Sequence, residues 1–180
     1  MYAITVDLES LATRVDAVIL QIGMVKFDPL VITQDLTQLE YKSILVDVDD
    51  QVTNYNRFIC DETVAWWGKQ SPEVVETVFN ENNRLPLKDA LQEVHDFCWG
   101  KDQIWSQGPQ FDISILDHAY TQTGLPYPWQ YNKVRDSRTL LDLLYVEQPK
   151  LLHDAVDDCR RQIYGVQRVL KQLGVTKFVR

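Results

Sequence analysis

Two carboxylates lie close together near the start of the chain. Asp7 and Glu9 of VDLES lie in and just beyond YAITVDL, residues 2–8, an alternating β-branched run that reads as a strand. A strand points residues i and i+2 to one face, about 7 Å apart along the chain. Two anions so placed repel each other, and a bridging divalent cation is the simplest remedy. A solvated strand end would account for the pair taken alone. A third acid, Asp112, lies in WSQGPQFDISIL, where a short strand runs through Gly108 and Pro109 into a helix. The helix dipole by itself favours an acid there.

The stretch LLHDAVDDCRRQ, residues 151–162, holds His153, Asp154, Asp157 and Asp158. Val156, Cys159, Ile163, Val166, Leu170 and Leu173 recur as one apolar stripe of a helix over about 154–173 that stops at Gly174. At about 100° per residue, Asp158 lies about 100° from the stripe centre and Asp157 about 160° away. Asp158 therefore borders the buried face and Asp157 faces solvent. Asp154 is expected to point outward as the N-cap. His153 and Asp158 would splay about 140° apart on an ideal helix. They share a site only if His153 precedes the helix, in a loop that Pro149 and the residues after it permit.

The elements that position these groups follow from the pattern. Strands are expected at 2–8, 17–28 and 38–47, the second apolar enough to be central, joined as an antiparallel meander. Asp61 is read as the cap of ETVAWWGKQ, and Ser71 with Pro72 as the start of PEVVETVFN. Leu87, Ala90, Leu91, Val94 and Cys98 mark a helix between Pro86 and Gly100. A strand at 103–106, a helix at 111–123 stopped by Gly124, a weak strand near 131–135 and a helix near 137–146 complete the order. The result is a single α/β domain over 1–180: a five-stranded sheet, part antiparallel and part parallel, covered by helices.

Composition narrows the function. The chain has 180 residues, 45% hydrophobic and 24% charged, ordinary for a globular domain. No apolar run is long enough to span a bilayer, and MYAITVDLES has no basic leader. The three cysteines, Cys60, Cys98 and Cys159, fit no metal or redox spacing and point to a reducing cytoplasm. The net charge of −8 argues against a broad basic groove along duplex nucleic acid. It leaves room for a site whose positive field comes from metal. P-loop, GxGxxG and GxSxG signatures are absent.

Taken in order, D-x-E, an aspartate at a strand–helix junction and H-x4-D resemble the DEDDh exonuclease superfamily on the ribonuclease H-like fold. The resemblance covers nearly the whole chain, including ILQIGMVKFD with Gly23. More narrowly, AWWGKQSPE, WSQGPQFDISIL, RDSRTLLDL and HDAVDDCRRQ resemble the 3′–5′ exoribonuclease-like group frequent in phages, prophages and some bacteria. H-x4-D marks the histidine branch; the tyrosine branch carries Y-x3-D.

The resemblance implies that Asp7, Glu9, Asp112 and Asp158 hold two Mg²⁺ or Mn²⁺ ions, about 3.5–4 Å apart, with His153 as general base. An imidazole, with an ordinary pKa of about 6.5, suits that task. It implies a metal-dependent 3′→5′ exonuclease acting on single-stranded RNA or DNA and releasing nucleoside 5′-monophosphates. Ser10 is expected near the terminal sugar. Trp66 and Trp67 diverge by about 100°, so that one packs in the core while the other stacks on a base; a core or interface role for both is the alternative. Arg135 and Arg138 are expected at the phosphate backbone, or in surface ion pairs. Gln110 departs from the family pattern and is expected to touch substrate. A homodimer through the Trp-rich helix is a further expectation.

Two other functions fit the residues less well. A haloacid-dehalogenase-type phosphatase needs an aspartate where Glu9 stands. A degenerate nuclease fold serving as a nucleic-acid or protein binding module is disfavoured because all five polar residues are present.

Overall fold

The computed structural model describes residues 2–149 and 153–178. Five strands form one sheet: β1 (Ala3–Ser10), β2 (Ile19–Phe27), β3 (Tyr41–Leu45), β4 (Gln103–Ser106) and β5 (Val134–Asp136). Their order is β3-β2-β1-β4-β5. β1 pairs antiparallel with β2, and β2 with β3; β1 pairs parallel with β4, and β4 with β5. This is the mixed sheet expected, with β1 at its centre.

Among the described residues, seven α-helices accompany it: α1 (Val48–Tyr55), α2 (Asp61–Trp67), α3 (Pro72–Val78), α4 (Leu87–Cys98), α5 (Asp112–Thr123), α6 (Ser137–Leu141) and α7 (Ala155–Gln172). The parity of β1 divides the layers. Ile4, Val6 and Leu8 join one apolar cluster with Leu91, Val94, Leu116 and Tyr120 of α4 and α5. Ala3 joins the opposite cluster, built on Cys159, Ile163 and Val166 of α7. By the same alternation Asp7 and Glu9 face the α7 side. The pairing of β1 with β2 slips between Glu9 and Ser10, a bulge of the kind that re-aims side chains beside functional sites.

One close approach sets where α7 sits. A Cβ on Gly23 of β2 would lie 2.6 Å from the backbone nitrogen of Val156 and closer still to the Ala155 carbonyl. Backbone cannot yield there as a side-chain tip can. Gln21, 1% exposed, completes the junction. Its amide donates to Asp154 at 3.0 Å and its oxygen accepts from the Ala155 N–H at 3.1 Å. Gly23→Ala should therefore destabilise the fold by about 1–3 kcal/mol through overpacking, read as a lowered denaturation midpoint.

Several boundaries differ from expectation. The third strand is confined to Tyr41–Leu45, preceded by a 3-10 turn at Leu36–Gln38. The chain then enters α1, which the sequence reading did not foresee; Asp47 caps it by accepting from the Asp50 N–H. The cap of α2 is Cys60, not Asp61. Cys60 is held extended because its N–H donates to the Leu11 carbonyl at 2.8 Å, so Asp61 already lies in the first turn. The helix expected near 137–146 ends at Leu141. Beyond it Leu143 and Tyr145 are 64% and 87% exposed, so a longer helix would have no core to bury against. Of the loop expected ahead of His153, residues 150–152 lie outside the described set.

Candidate active site

The acids converge where β1 and β4 end. Asp112 opens α5, directly after the Gly108–Pro109 turn, and is 4% exposed. One of its oxygens accepts from the Leu8 N–H at 3.0 Å; the other accepts from the Ser106 hydroxyl. Asp112 thus ties the ends of β1 and β4 together, a function beyond the dipole effect that its position alone suggests. Asp7, half-buried, accepts from the Gln162 amide at 2.9 Å.

Glu9, Asp158 and His153 form a second group. A ligand-competent atom from each lies within 4.8 Å of the others. Glu9 is 8% and Asp158 5% exposed. Asp157, by contrast, turns outward and pairs with Arg160 at 2.7 Å. Asp154 does cap α7, accepting from the Val156 and Asp157 N–H groups. It does not point into solvent as expected: its second oxygen is drawn inward by the Gln21 amide. His153 precedes the helix, in the left-handed region at φ 56°. Its N–H donates to the Asp158 carboxylate at 3.2 Å. The five-residue separation is thus bridged by a turn.

The electrostatics of the cluster are unfavourable without a cation. Burial, then the neighbouring Asp112, Glu9 and Asp158, push the Asp7 carboxyl well above the usual carboxylate range. Burial, followed by Asp158, Asp154 and Asp112, pushes Glu9 up to about 8. Burial pushes Asp112 up to about 6, with the Ser106 and Leu8 donors holding it back. The hydrogen-bond donors to Asp7 and Asp112 named above are one side-chain amide, a hydroxyl and a backbone N–H, all neutral. Buried carboxylates with one imidazole and no thiolate form a donor set suited to hard divalent cations. The residues present therefore fit a divalent metal.

The substrate-side candidates separate. Trp67 is 2% exposed and donates from its indole to the Ser10 carbonyl at 3.0 Å. Trp66 is 40% exposed, and its ring meets that of His153 edge-on at 5.0 Å between centroids. A groove of about 430 Å³ opens beside Glu9, lined by Leu8, Ser10, Trp66, Trp67 and Phe111. The Ser10 hydroxyl turns away to the Ala12 carbonyl at 2.8 Å. Gln110 is exposed just ahead of Phe111. Arg138 lies against Gly108 and donates to the Gln107 carbonyl at 3.0 Å. Arg135 donates to the carbonyls of Asn132 and Val134, neither of them an acid.

The sequence reading missed the supporting donors Gln162, Ser106 and Gln21. Gln162 carried a usable signal: it lies one turn after Asp158, beside the apolar stripe, where a polar residue has a reason to be.

With this geometry in hand, the comparisons are decisive. The model of the Rv2179c-like 3′-5′ exoribonuclease domain matches residues 2–170. The chain belongs to this family. It is accordingly a 3′–5′ exonuclease. An exodeoxyribonuclease of Enterobacteria phage T4 is 22% identical over 95% of this chain and 90% of its own length. The zinc-bound E. coli ExoI–ssDNA complex superposes with a TM-score of 0.69 at 13% identity. That match covers 96% of this chain but only 41% of ExoI. The nuclease domain of 3′hExo, a DEDDh family member bound to rAMP, gives 0.58 at 14% identity, covering 95% and 92%. These likenesses establish the ribonuclease H-like exonuclease fold. Among the described residues, no helix is long and apolar enough to cross a membrane.

The adjacent tryptophans of this exonuclease should behave in opposite ways. Trp67→Ala should destabilise by about 3–5 kcal/mol, as large-to-small changes in a core do. Trp66→Ala should leave the melting temperature nearly unchanged and raise KM for an oligonucleotide. Thermal melts and steady-state kinetics on the two variants distinguish them.

Proposed function

We propose that this exonuclease removes nucleotides one at a time from the 3′ end of single-stranded RNA or DNA, releasing nucleoside 5′-monophosphates. The observation that carries the reading is the meeting of Glu9, His153 and Asp158 within 4.8 Å, beside Asp7 and Asp112. Asp7, Glu9, Asp112 and Asp158 are the residues that would hold two Mg²⁺ or Mn²⁺ ions. When bound, such ions supply positive charge to the scissile phosphate, the attacking water and the leaving 3′ oxygen.

The chain's own groups do the rest. His153 accepts the proton of the attacking water. Its position ahead of α7, fixed through the Asp158 contact, holds the imidazole at the edge of the acid pocket. The groove between Leu8, Trp66 and Phe111 takes the terminal base, where aromatic faces stack without regard to base identity. Arg138, beside the Gly108 turn, reaches the phosphate backbone of the strand. Three free thiols suit a reducing, cytoplasmic setting.

The test uses matched RNA and DNA strands with 3′ or 5′ extensions, incubated with Mg²⁺, Mn²⁺ or EDTA. Stepwise loss from the 3′ end, release of 5′-monophosphates and arrest by EDTA are expected. Shortening from the 5′ end, or binding without cleavage, would overturn the proposal. So would release of inorganic phosphate from an aryl phosphate without cleavage of either strand. The relative rates on the two strands report whether a 2′-hydroxyl is required, tolerated or rejected.

A further inference from the structure

Gln162 is 2% exposed, on the buried face of α7 between the apolar Cys159, Ile163 and Val166 and one turn after Asp158. A buried amide must be hydrogen-bonded at both ends or it costs stability. Here the two ends are differently engaged. The nitrogen donates to the Asp7 carboxylate at 2.9 Å. The oxygen accepts from the Thr5 hydroxyl at 3.1 Å. The Ser137 hydroxyl stands 3.4 Å from the same oxygen and 3.2 Å from the Ser106 carbonyl, so its single proton serves one acceptor or is shared. Thr5 and Ser137 are both fully buried.

This arrangement has a direction. Thr5 lies two residues before Asp7 on β1, so both side chains face α7. If the amide turned over, its oxygen would face an anion and its NH₂ would face a hydroxyl left without that acceptor. The acceptor-only Asp7 carboxylate calls for the NH₂ end of Gln162, and the Thr5 hydroxyl, donating to the other end, holds the amide in that orientation. The amide also has the right charge. A lysine or arginine would neutralise Asp7 and compete with a cation; an acid would add to the repulsion. A neutral donor can hold one carboxylate oxygen and leave the charge available. Asp112 is treated alike, held by the Leu8 N–H and the Ser106 hydroxyl.

We infer that Gln162 is a positioning residue that fixes the orientation of Asp7 for metal binding, with Thr5 orienting the amide. α7 then delivers a carboxylate, Asp158, and one turn later the group that orients another carboxylate across the layer. The inference rests on the proposed role of Asp7 as a metal ligand. Groups that orient metal ligands typically change metal affinity or activity by about 10–100-fold when removed.

The test compares wild type with Gln162→Met, which keeps length and removes both polar ends. Calorimetric titration with Mn²⁺, Mn²⁺-dependence of kcat, KM for an oligonucleotide and thermal melting are measured on each. The inference predicts Mn²⁺ affinity weaker by about 10–100-fold, a matching rise in the Mn²⁺ needed for half-maximal rate, recovery of kcat at saturating Mn²⁺ to within a few fold, and unchanged KM. A folded Gln162→Met that binds Mn²⁺ as wild type does would overturn it. If Gln162→Met does not fold, Thr5→Val carries the test. It removes only the orienting hydroxyl and should weaken Mn²⁺ binding by several fold; unaltered affinity overturns the inference. Absence of Mn²⁺ uptake by wild type would instead overturn the proposed metal site itself.

Discussion

Asp158→Ala should abolish cleavage, while Asp157→Ala, one residue earlier in the chain, should keep most of it. The two acids share a helix turn but not an environment. Asp158 is 5% exposed and shares the pocket with Glu9 and His153. The side chain of Asp157 is 40% exposed and engaged with Arg160 on the surface. Surface ion pairs contribute about 0–1 kcal/mol, so losing this one should change little. On the proposed assignment of Asp158 as a metal ligand, losing it removes part of the electrostatic arrangement that opposes the charge of the transition state. Removal of even one such group in other enzymes costs about 10²–10³ in rate, and loss of a metal-holding carboxylate should cost at least that. Stability should change far less than activity: burial is the main cause that raises the Glu9 carboxyl, and removing Asp158 relieves the repulsion that adds to it while giving up the His153 N–H contact. Single-turnover cleavage of an end-labelled oligonucleotide, with a melt of each variant, checks both statements. Equal rate losses for the two variants would contradict the assignment of faces.

Metal-free protein should be more stable in mild acid than in mild base, and added Mg²⁺ or Mn²⁺ should reverse that order. Asp7, Glu9 and Asp112 all have carboxyls raised in the folded state, chiefly by burial. In the unfolded chain they ionise at about 4. Between that value and the folded ones, the native state holds protons that the unfolded state has released. The contribution of these groups to stability is then greatest below about pH 4 and declines as pH rises. The decline continues through about 6 for Asp112 and about 8 for Glu9. Since one pKa unit corresponds to about 1.4 kcal/mol, the Glu9 displacement alone corresponds to about 3–5 kcal/mol. A cation binds the ionised set, so its stabilisation should grow from pH 5.5 to pH 8 and its binding near pH 7 should release protons. Thermal melts across that range with EDTA or Mn²⁺ test the first point. Calorimetry in buffers of different ionisation enthalpy tests the second. A metal-free melting temperature that rises steadily to pH 8 would show that the carboxylates are not confined together.

What could be read in advance divides along physical lines. Period-2 and period-3.6 patterns fix which way a side chain points. Asp7 and Glu9 were therefore legible as one face of β1, Asp158 as the inward acid of its pair, and Trp66 and Trp67 as divergent. Helix punctuation was equally plain at Ser71–Pro72, Gly124 and Gly174. Long-range partners were not. Nothing local distinguishes Asp154 drawn in by Gln21 from Asp154 in solvent, since the two are 133 positions apart. Asp61 looked like a cap because it is an acid before a helix; the Leu11 carbonyl decided otherwise. α1 was hidden because its start, at Asp47, merges with an alternating strand and its face carries few large apolar residues. α6 was drawn too long because LLDLL supports a helix locally, while only packing against α7 shows where its burial ends.

The tight meeting of Gly23 with Ala155 and Val156 has a consequence for the order in which the molecule becomes active. The first acid of the pocket is synthesised about 150 residues before the last. At about 5–20 residues per second, that interval is roughly eight to thirty seconds on the ribosome. Until α7 has emerged and settled against β2, a nascent chain has Asp7, Glu9 and Asp112 but neither His153 nor Asp158. The pocket is thus complete only once α7 has been made and has closed on β2, so the arrival of this one helix arms it.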